Sequence, residues 1–378
     1  MRGYEQDKYL IDSPGVLQFT ANMYKKYRVH YAIFTYSIDM VRGSLCDTFA
    51  ICITVFCIMP LINAEITLDP EKITVFMLSG TCADRKIPGT NLQDVSSCLD
   101  PTLKTVIIIH GFLESCTEEA VYITIINKAY QGLGIYNVIC IDWSPYCTSF
   151  LGYPTAVAYS KLVADLLVVL VAHLDARGID RTQLDFVGFS MGAQVAGMVG
   201  NCITNPPLYR IIGLDPASPG YTPQISDVGH MTPNSATIVV GVYTDRGFFG
   251  VFEPCGSHNF FPNGGTRIQP NCSDGLTLDI LTAVTELPNS FSSVWCSHVQ
   301  ATVYFVQAIT CPGSNLAVQC DSNLDFLAGN CQGNLIVDLN ACIGSNVPPA
   351  GSYYYRTDPK KNGIGISGTN PPPLISVL

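Results

Sequence analysis

Ser190 stands in VGFSMGAQVAG (Val187 to Gly197), where Gly188 and Gly192 complete the pattern Gly-x-Ser-x-Gly. A serine hydroxyl is a poor nucleophile until a base takes its proton, so the pattern calls for a histidine oriented by a carboxylate. The chain has six histidines. In folds built on such an elbow the order along the chain is serine, acid, histidine. That order leaves His230, His258 and His298, because His110 and His173 come too early and His30 lies in the N-terminal stretch. His230 reads as a surface loop residue, and His258 and His298 stay open. For the acid, Asp215 is best placed, directly after the apolar run RIIGL and before Pro216. Asp227 and Asp245 are loop alternatives. The developing oxyanion needs two N–H donors. One is expected from Met191, after the nucleophile, and the other from Phe112, in the segment His110-Gly111-Phe112 that follows an early strand.

The elements that must position these groups are legible as short β-branched runs: Thr105 to Ile109, Asn137 to Ile141, Leu184 to Gly188, Arg210 to Leu214 and Ala236 to Tyr243. Runs that are apolar throughout belong to strands buried on both faces. Between them, Thr155 to Arg177 carries apolar residues at helical spacing and stops at Gly178, a C-terminal cap. The alternation of strand and helix predicts a mostly parallel sheet covered by helices. Ser190 then falls between a buried strand and a helix of small residues, AQVAGMVG, whose free N–H groups face the serine. Beyond Gly247 the sequence reads as loops rich in Gly, Pro, Asn and Cys, with one late strand at Gly351 to Arg356.

Composition bounds the rest. The chain has 378 residues, 48% hydrophobic and 13% charged, with a net charge of -10 and no basic cluster beyond Lys25, Lys26 and Arg28. That profile excludes disorder and gives nucleic-acid binding no electrostatic footing. Phe49 to Ile62 is an apolar run of 14 residues, short for a membrane span and of the size of a secretory h-region, with Arg42 upstream and Ala64 as the small residue at cleavage. We expect residues 1-39 to be a doubtful N-terminal extension, 40-64 a signal peptide beginning at Met40, and 65-378 one domain. Of 16 cysteines, 13 lie after that signal, a density that implies disulfides and export, with at least one thiol left over. No Cys-x-x-Cys occurs, and no metal or other cofactor is expected.

VIIIHGF (Val106 to Phe112), YNVICIDWS (Tyr136 to Ser144), VGFSMGAQVAG, IIGLDPASP (Ile211 to Pro219), HNFFPNGG (His258 to Gly265) with QPNC, and CSHVQATVYF (Cys296 to Phe305) together resemble the secreted pancreatic-lipase-like family of animals, which includes arthropod lipases and phospholipases A1. The resemblance implies an α/β-hydrolase fold, with Ser190 as nucleophile, Asp215 as acid, His298 as base, and Phe112 and Met191 at the oxyanion positions. His258 falls on a motif with a structural role. It further implies a lid, 272-296, tethered by Cys272 and Cys296, and a second pair, Cys320 with Cys331. Leu276, Leu278, Ile280, Leu281, Val284 and Leu287 supply the lid with an apolar set. The vertebrate members' C-terminal β-sandwich is not expected, because only about seventy residues follow Phe305. The chain departs from the pattern at Phe189, Gln194 and Gln300, where the family usually has His, His and Arg. Phe189 reads as a packing change with little effect on chemistry.

The implied activity is hydrolysis of acyl esters of glycerolipids at a lipid-water interface by a secreted enzyme. The long lid favours triacylglycerols. Phospholipase A1 cleavage at sn-1 is the alternative, and a non-catalytic, yolk-type lipid-binding relative is a third reading. No nucleic-acid partner is expected, and nothing in the sequence names a protein partner.

Overall fold

The structure, a computed structural model, describes residues 66–148, 152–221, 229–270, 272 and 293–357. The chain divides into Met1–Thr67 and Leu68–Leu378, and the second unit holds the fold below. The extension and signal segment expected at 1-39 and 40-64 lie outside the described residues, as do Asp227 and the six apolar lid residues.

In chain order the elements are β1 (Thr74–Met77), β2 (Lys86–Pro88), β3 (Lys104–Ile109), α1 (Val121–Leu133), β4 (Tyr136–Asp142), α2 (Tyr153–Ala176), β5 (Leu184–Phe189), α3 (Met191–Cys202), β6 (Arg210–Leu214), β7 (Ile238–Val242), β8 (His258–Pro262), α4 (Ser293–Thr310), β9 (Leu316–Gln319), α5 (Asn323–Ala328), β10 (Ile336–Asp338) and β11 (Gly351–Tyr355). Among the described residues the strands form one sheet, ordered β10-β9-β11-β8-β7-β6-β5-β3-β4-β1-β2. The run from β4 through β3, β5, β6, β7 and β8 to β11 is parallel. Antiparallel pairs finish both edges. This is the α/β-hydrolase fold.

The five apolar runs became central strands because both faces of the sheet are covered. Side chains alternate across a strand. Ile107 and Ile109 of β3 therefore join the core formed with Leu167, Leu170 and Val195 of α2 and α3. Val106 and Ile108 join the opposite core, with Ile123 and Ile126 of α1 and Phe305 of α4. Helix α2 ends as its sequence dictates: Gly178 takes φ 80°, donating to the Asp175 carbonyl at 2.9 Å while Ile179 donates to that of Leu174 at 3.1 Å, a Schellman pattern. Among the described residues α2 is also the one helix long and apolar enough to cross a membrane; here it packs on α3 as a core helix.

After Gly247 the fold corrects the reading of the sequence as loops. This part supplies β8, which pairs with β7 and β11, the 18-residue helix α4, and the strands β9 and β10 that extend the sheet. β8 is only five residues long and carries Asn259 and Pro262, so its pattern resembles a turn region until neighbours complete its ladder. Helix α1 was equally hidden, since Val121, Ile123, Thr124, Ile125 and Ile126 are β-branched and favour strands in isolation.

Disulfides join Cys82 to Cys98, Cys116 to Cys140, Cys272 to Cys296 and Cys320 to Cys331. The last two are the pairs implied by the family resemblance. Cys147, Cys255 and Cys342 are buried thiols, Cys202 is exposed and Cys311 is half-buried.

Candidate active site

Four of the site's segments emerge from neighbouring strands: His110 to Phe112 after β3, Ser190 after β5, Asp215 after β6, and Thr244 with Asp245 after β7. They share the carboxyl edge of the parallel sheet, where polar groups of such sheets converge.

Ser190 joins β5 to α3 in a turn too tight for ordinary residues. Its backbone sits at φ 55° and ψ -118°, a sparsely populated conformation for a residue with a side chain. The glycines make the turn sterically possible. A Cβ on Gly188 would overlap the carbonyl of Gly192, and a Cβ on Gly192 would overlap that of Ile109. The turn is pinned by the Ser190 N–H donating to the Leu214 carbonyl at 2.9 Å. Ser190 occupies the N-cap of α3, yet its hydroxyl caps nothing in the helix. It lies instead 2.8 Å from Nε2 of His298.

His298 comes from the first half of α4 and is 3% exposed. Its Nδ1 is 2.6 Å from Oδ2 of Asp215, a fully buried carboxylate. Asp215 has φ 41°, and its Oδ1 accepts from the N–H groups of Thr244 (2.9 Å) and Asp245 (3.1 Å). With an ionised Asp215, Nδ1 carries the proton and Nε2 is left to accept from the Ser190 hydroxyl. The three residues therefore form a continuous relay from hydroxyl to imidazole to carboxylate.

Met191 follows the serine in the chain, and Phe112 follows Gly111, which lies against it. Gly111 packs so closely that a Cβ there would meet the Cβ of Ser190 at 3.0 Å. Among the described residues, neither the Phe112 nor the Met191 N–H donates to another group of the protein. His110, set aside from the sequence as coming too early, anchors this loop. It is fully buried, accepts the Trp143 N–H at Nε2 (3.1 Å), places Nδ1 2.8 Å from the Gly111 carbonyl, and receives the Trp143 indole at its own carbonyl (3.0 Å). The accepted bond at Nε2 assigns the proton to Nδ1.

The departures from the family pattern also have places here. Phe189 packs on the His298 ring, centroids 4.9 Å apart, so it is a neighbour of the imidazole and more than distant packing. Gln194, fully buried, donates to the Ala217 carbonyl at 2.6 Å and accepts from Met231 N–H at 2.8 Å, tying together the chain after Asp215. Gln300 reaches the Cys272 sulfur at 3.9 Å. The sequence did not single out Phe249 and Trp295, which stack on each other at 4.1 Å and flank His298 at 5.6 and 6.3 Å. Trp295 directly precedes Cys296, and that adjacency was the available signal.

The other candidates fall elsewhere. His258 is buried within β8 between the Ser257 hydroxyl and the Pro348 carbonyl, each 2.9 Å away, and burial lowers its affinity for a proton. His230 is half-buried and its carbonyl accepts from Asn201. Asp245 was ranked below Asp215 as a loop residue, yet the structure brings it to the site, fully buried. Donor atoms of Asp215, Asp245 and His298 lie within 4.8 Å of one another, the one such group among the described residues that could hold a cation. The Asp215 and His298 atoms in it are already joined by their hydrogen bond.

An α/β-hydrolase sheet with a serine elbow hydrogen-bonded to a buried histidine and aspartate defines the class. The chain matches the family described as Lipase over residues 71–342, and it belongs to that family. It is 32% identical to Lipase member H-B of Xenopus laevis over 234 residues, 62% of this chain and 47% of that protein. It is 30% identical to pancreatic triacylglycerol lipase of Ictidomys tridecemlineatus over 292 residues, 74% and 59% of the two chains. Phospholipase A1 member A of Bos taurus is 29% identical over 262 residues, 67% and 52%. The chain thus spans about half the length of the curated relatives it matches. Among solved structures, a phospholipase/carboxylesterase from Dyadobacter fermentans is 20% identical, covering 48% of this chain and 75% of that one with a TM-score of 0.28. An alpha/beta hydrolase enzyme from a Medee basin deep-sea metagenome library is 14% identical, covering 38% and 56% with a TM-score of 0.23.

Proposed function

We propose that the protein is a serine carboxylic-ester hydrolase acting on glycerolipids, with Ser190 as nucleophile, His298 as general base and Asp215 as the acid that orients it. The observation that carries this reading is the pair of hydrogen bonds on His298, 2.8 Å to Ser190 and 2.6 Å to Asp215. His298 takes the hydroxyl proton as Ser190 Oγ attacks the ester carbonyl, and the carbonyl oxygen becomes an oxyanion held by the N–H groups of Phe112 and Met191. Return of the proton to the leaving alcohol gives an acyl-enzyme. Water then repeats the sequence, releasing the fatty acid and restoring the serine.

Triacylglycerols are the preferred substrate in this reading, on the length of the segment between Cys272 and Cys296, assigned as the lid. Hydrolysis of phospholipid at sn-1 is the second reading, supported by the relative named phospholipase A1 member A. Secretion after cleavage of residues 40-64, with 65-378 as the mature domain, fits four disulfides formed in an oxidising compartment.

The test compares the purified protein and its Ser190→Ala variant on tributyrin and on phosphatidylcholine. Turnover of tributyrin lost in the variant supports the triacylglycerol reading, and turnover confined to phosphatidylcholine supports the second. Equal rates for both proteins would overturn the enzyme and leave the lipid-binding alternative. N-terminal sequencing of secreted material checks cleavage after Ala64.

A further inference from the structure

The Asp245 carboxyl is buried at the site and takes no part in the hydrogen bonds described above, to which this residue gives only its backbone N–H. Its side chain is fully buried, and neither carboxyl oxygen has a hydrogen bond of ordinary geometry, the Phe249 backbone N–H offering only a weak one. Asp215 does not need that carboxyl, since its own oxygens are taken by His298 and by the N–H groups of Thr244 and Asp245. A buried carboxyl so weakly hydrogen-bonded is costly, and such groups concentrate where charge is used.

The charged and titratable groups around it come from several segments. Asp215 after β6 and His298 on α4 lie within 4.8 Å. Arg267, after β8, places Nε 3.7 Å from Oδ1 and lies over the Phe248 ring at 4.1 Å. Arg246, next in sequence, instead donates to the Phe252 carbonyl. The Cys255 thiol, pushed up to about 12 by burial, adds no charge near neutrality.

We propose that Asp245 is a positioning residue for the reaction at Ser190: its ionised carboxylate, held in check by Arg267, places a second negative charge beside His298 and favours the imidazolium formed during attack. The inference rests on the reading of Ser190, His298 and Asp215 as the hydrolytic relay. Burial first, then the charge of Asp215, push the Asp245 carboxyl up to about 8, with Arg267 and, less, the Phe249 N–H acting in the opposite sense. Below that pH Asp245 holds its proton and the cluster carries one carboxylate. Above it the proton passes to solvent and the cluster carries two. A developing cation a few ångströms away is then stabilised further. Removing Arg267 makes the ionisation harder and moves it to higher pH.

The experiment measures kcat/KM on a water-soluble p-nitrophenyl ester from about pH 6 to about pH 10 for wild type, Asp245→Asn and Arg267→Gln. It also follows carbon-13 NMR of aspartate carboxyls without substrate. Wild type is expected to show a second rise of about tenfold on the alkaline side. Asp245→Asn, isosteric and uncharged, is expected to lack the rise and the matching carboxyl titration, and Arg267→Gln to move both upward. An alkaline rise that persists in Asp245→Asn, or no aspartate titrating above about pH 6, overturns the proposal while leaving the hydrolase reading intact. Absence of turnover by wild type overturns both.

Discussion

The ring of Phe189 lies against that of His298, with centroids 4.9 Å apart and planes tilted by 43°. Phe189 is the last residue of β5 and is 3% exposed, so the sheet itself fixes one side of the imidazole. Phe249 and Trp295 flank the same ring. Phe189→Leu keeps an apolar side chain but loosens that packing. We expect kcat to fall by about tenfold, equal to ~1.4 kcal/mol in the barrier, with a smaller change in KM. Steady-state kinetics on a soluble ester, beside a urea unfolding curve, separates this from simple loss of fold.

Asp215→Asn should leave the fold intact and lower kcat by about ten-thousandfold. The amide retains the shape of the carboxylate but donates where the charged oxygen accepts, so His298 loses the tautomer that leaves Nε2 free for Ser190. Circular dichroism matching wild type, with kcat within tenfold of it, would count against Asp215 as the acid.

Gly192→Val probes the elbow's steric demand. The added side chain would enter space held by the carbonyls of Ile109 and His110, which are backbone and cannot swing aside. A loss of several kcal/mol is expected, on the order of 4 or more, seen as poor soluble yield and an early unfolding midpoint. A variant as stable as wild type would mean that the turn has another shape.

Glu114, two residues beyond Phe112, is 7% exposed, and burial pushes its carboxyl up to about 8 from an ordinary value of 4.5. Its folded pKa is raised, so the folded state binds this proton more tightly than the unfolded chain. The associated stability is fully present below the unfolded pKa and is lost progressively as pH rises to about 8. Asp245 contributes in the same sense. Urea unfolding from pH ~5 to pH ~9 should show wild type weakening by a few kcal/mol at most, with Glu114→Gln weakening less. Parallel curves for the two proteins would exclude Glu114 as a source.

Much of the site was legible in sequence because its parts obey local rules. Gly188 and Gly192 flank the serine because no Cβ fits there, the apolar strands announce a doubly covered sheet, and Gly178 ends α2 with the left-handed turn its missing side chain permits. Chain order narrowed the histidines to three. The choice of His298 then came from the family resemblance, since neither its spacing nor its neighbours separated it from His258.

What only the tertiary structure decided were the relations between distant segments. His110, Phe249 and Asp245 carry no local signal, and Trp295 has only its place beside Cys296, because a histidine after a strand or an aspartate in a turn reads the same wherever it points. Helix α1, rich in β-branched residues, and the short strand β8 take their states from neighbours that bury them. The sequence by itself determined the strained serine turn and the layered fold, since close approach and hydrophobic pattern are local properties. The tertiary structure decided which imidazole meets that serine, and that a second carboxylate is buried beside it, since both depend on strand order across the sheet.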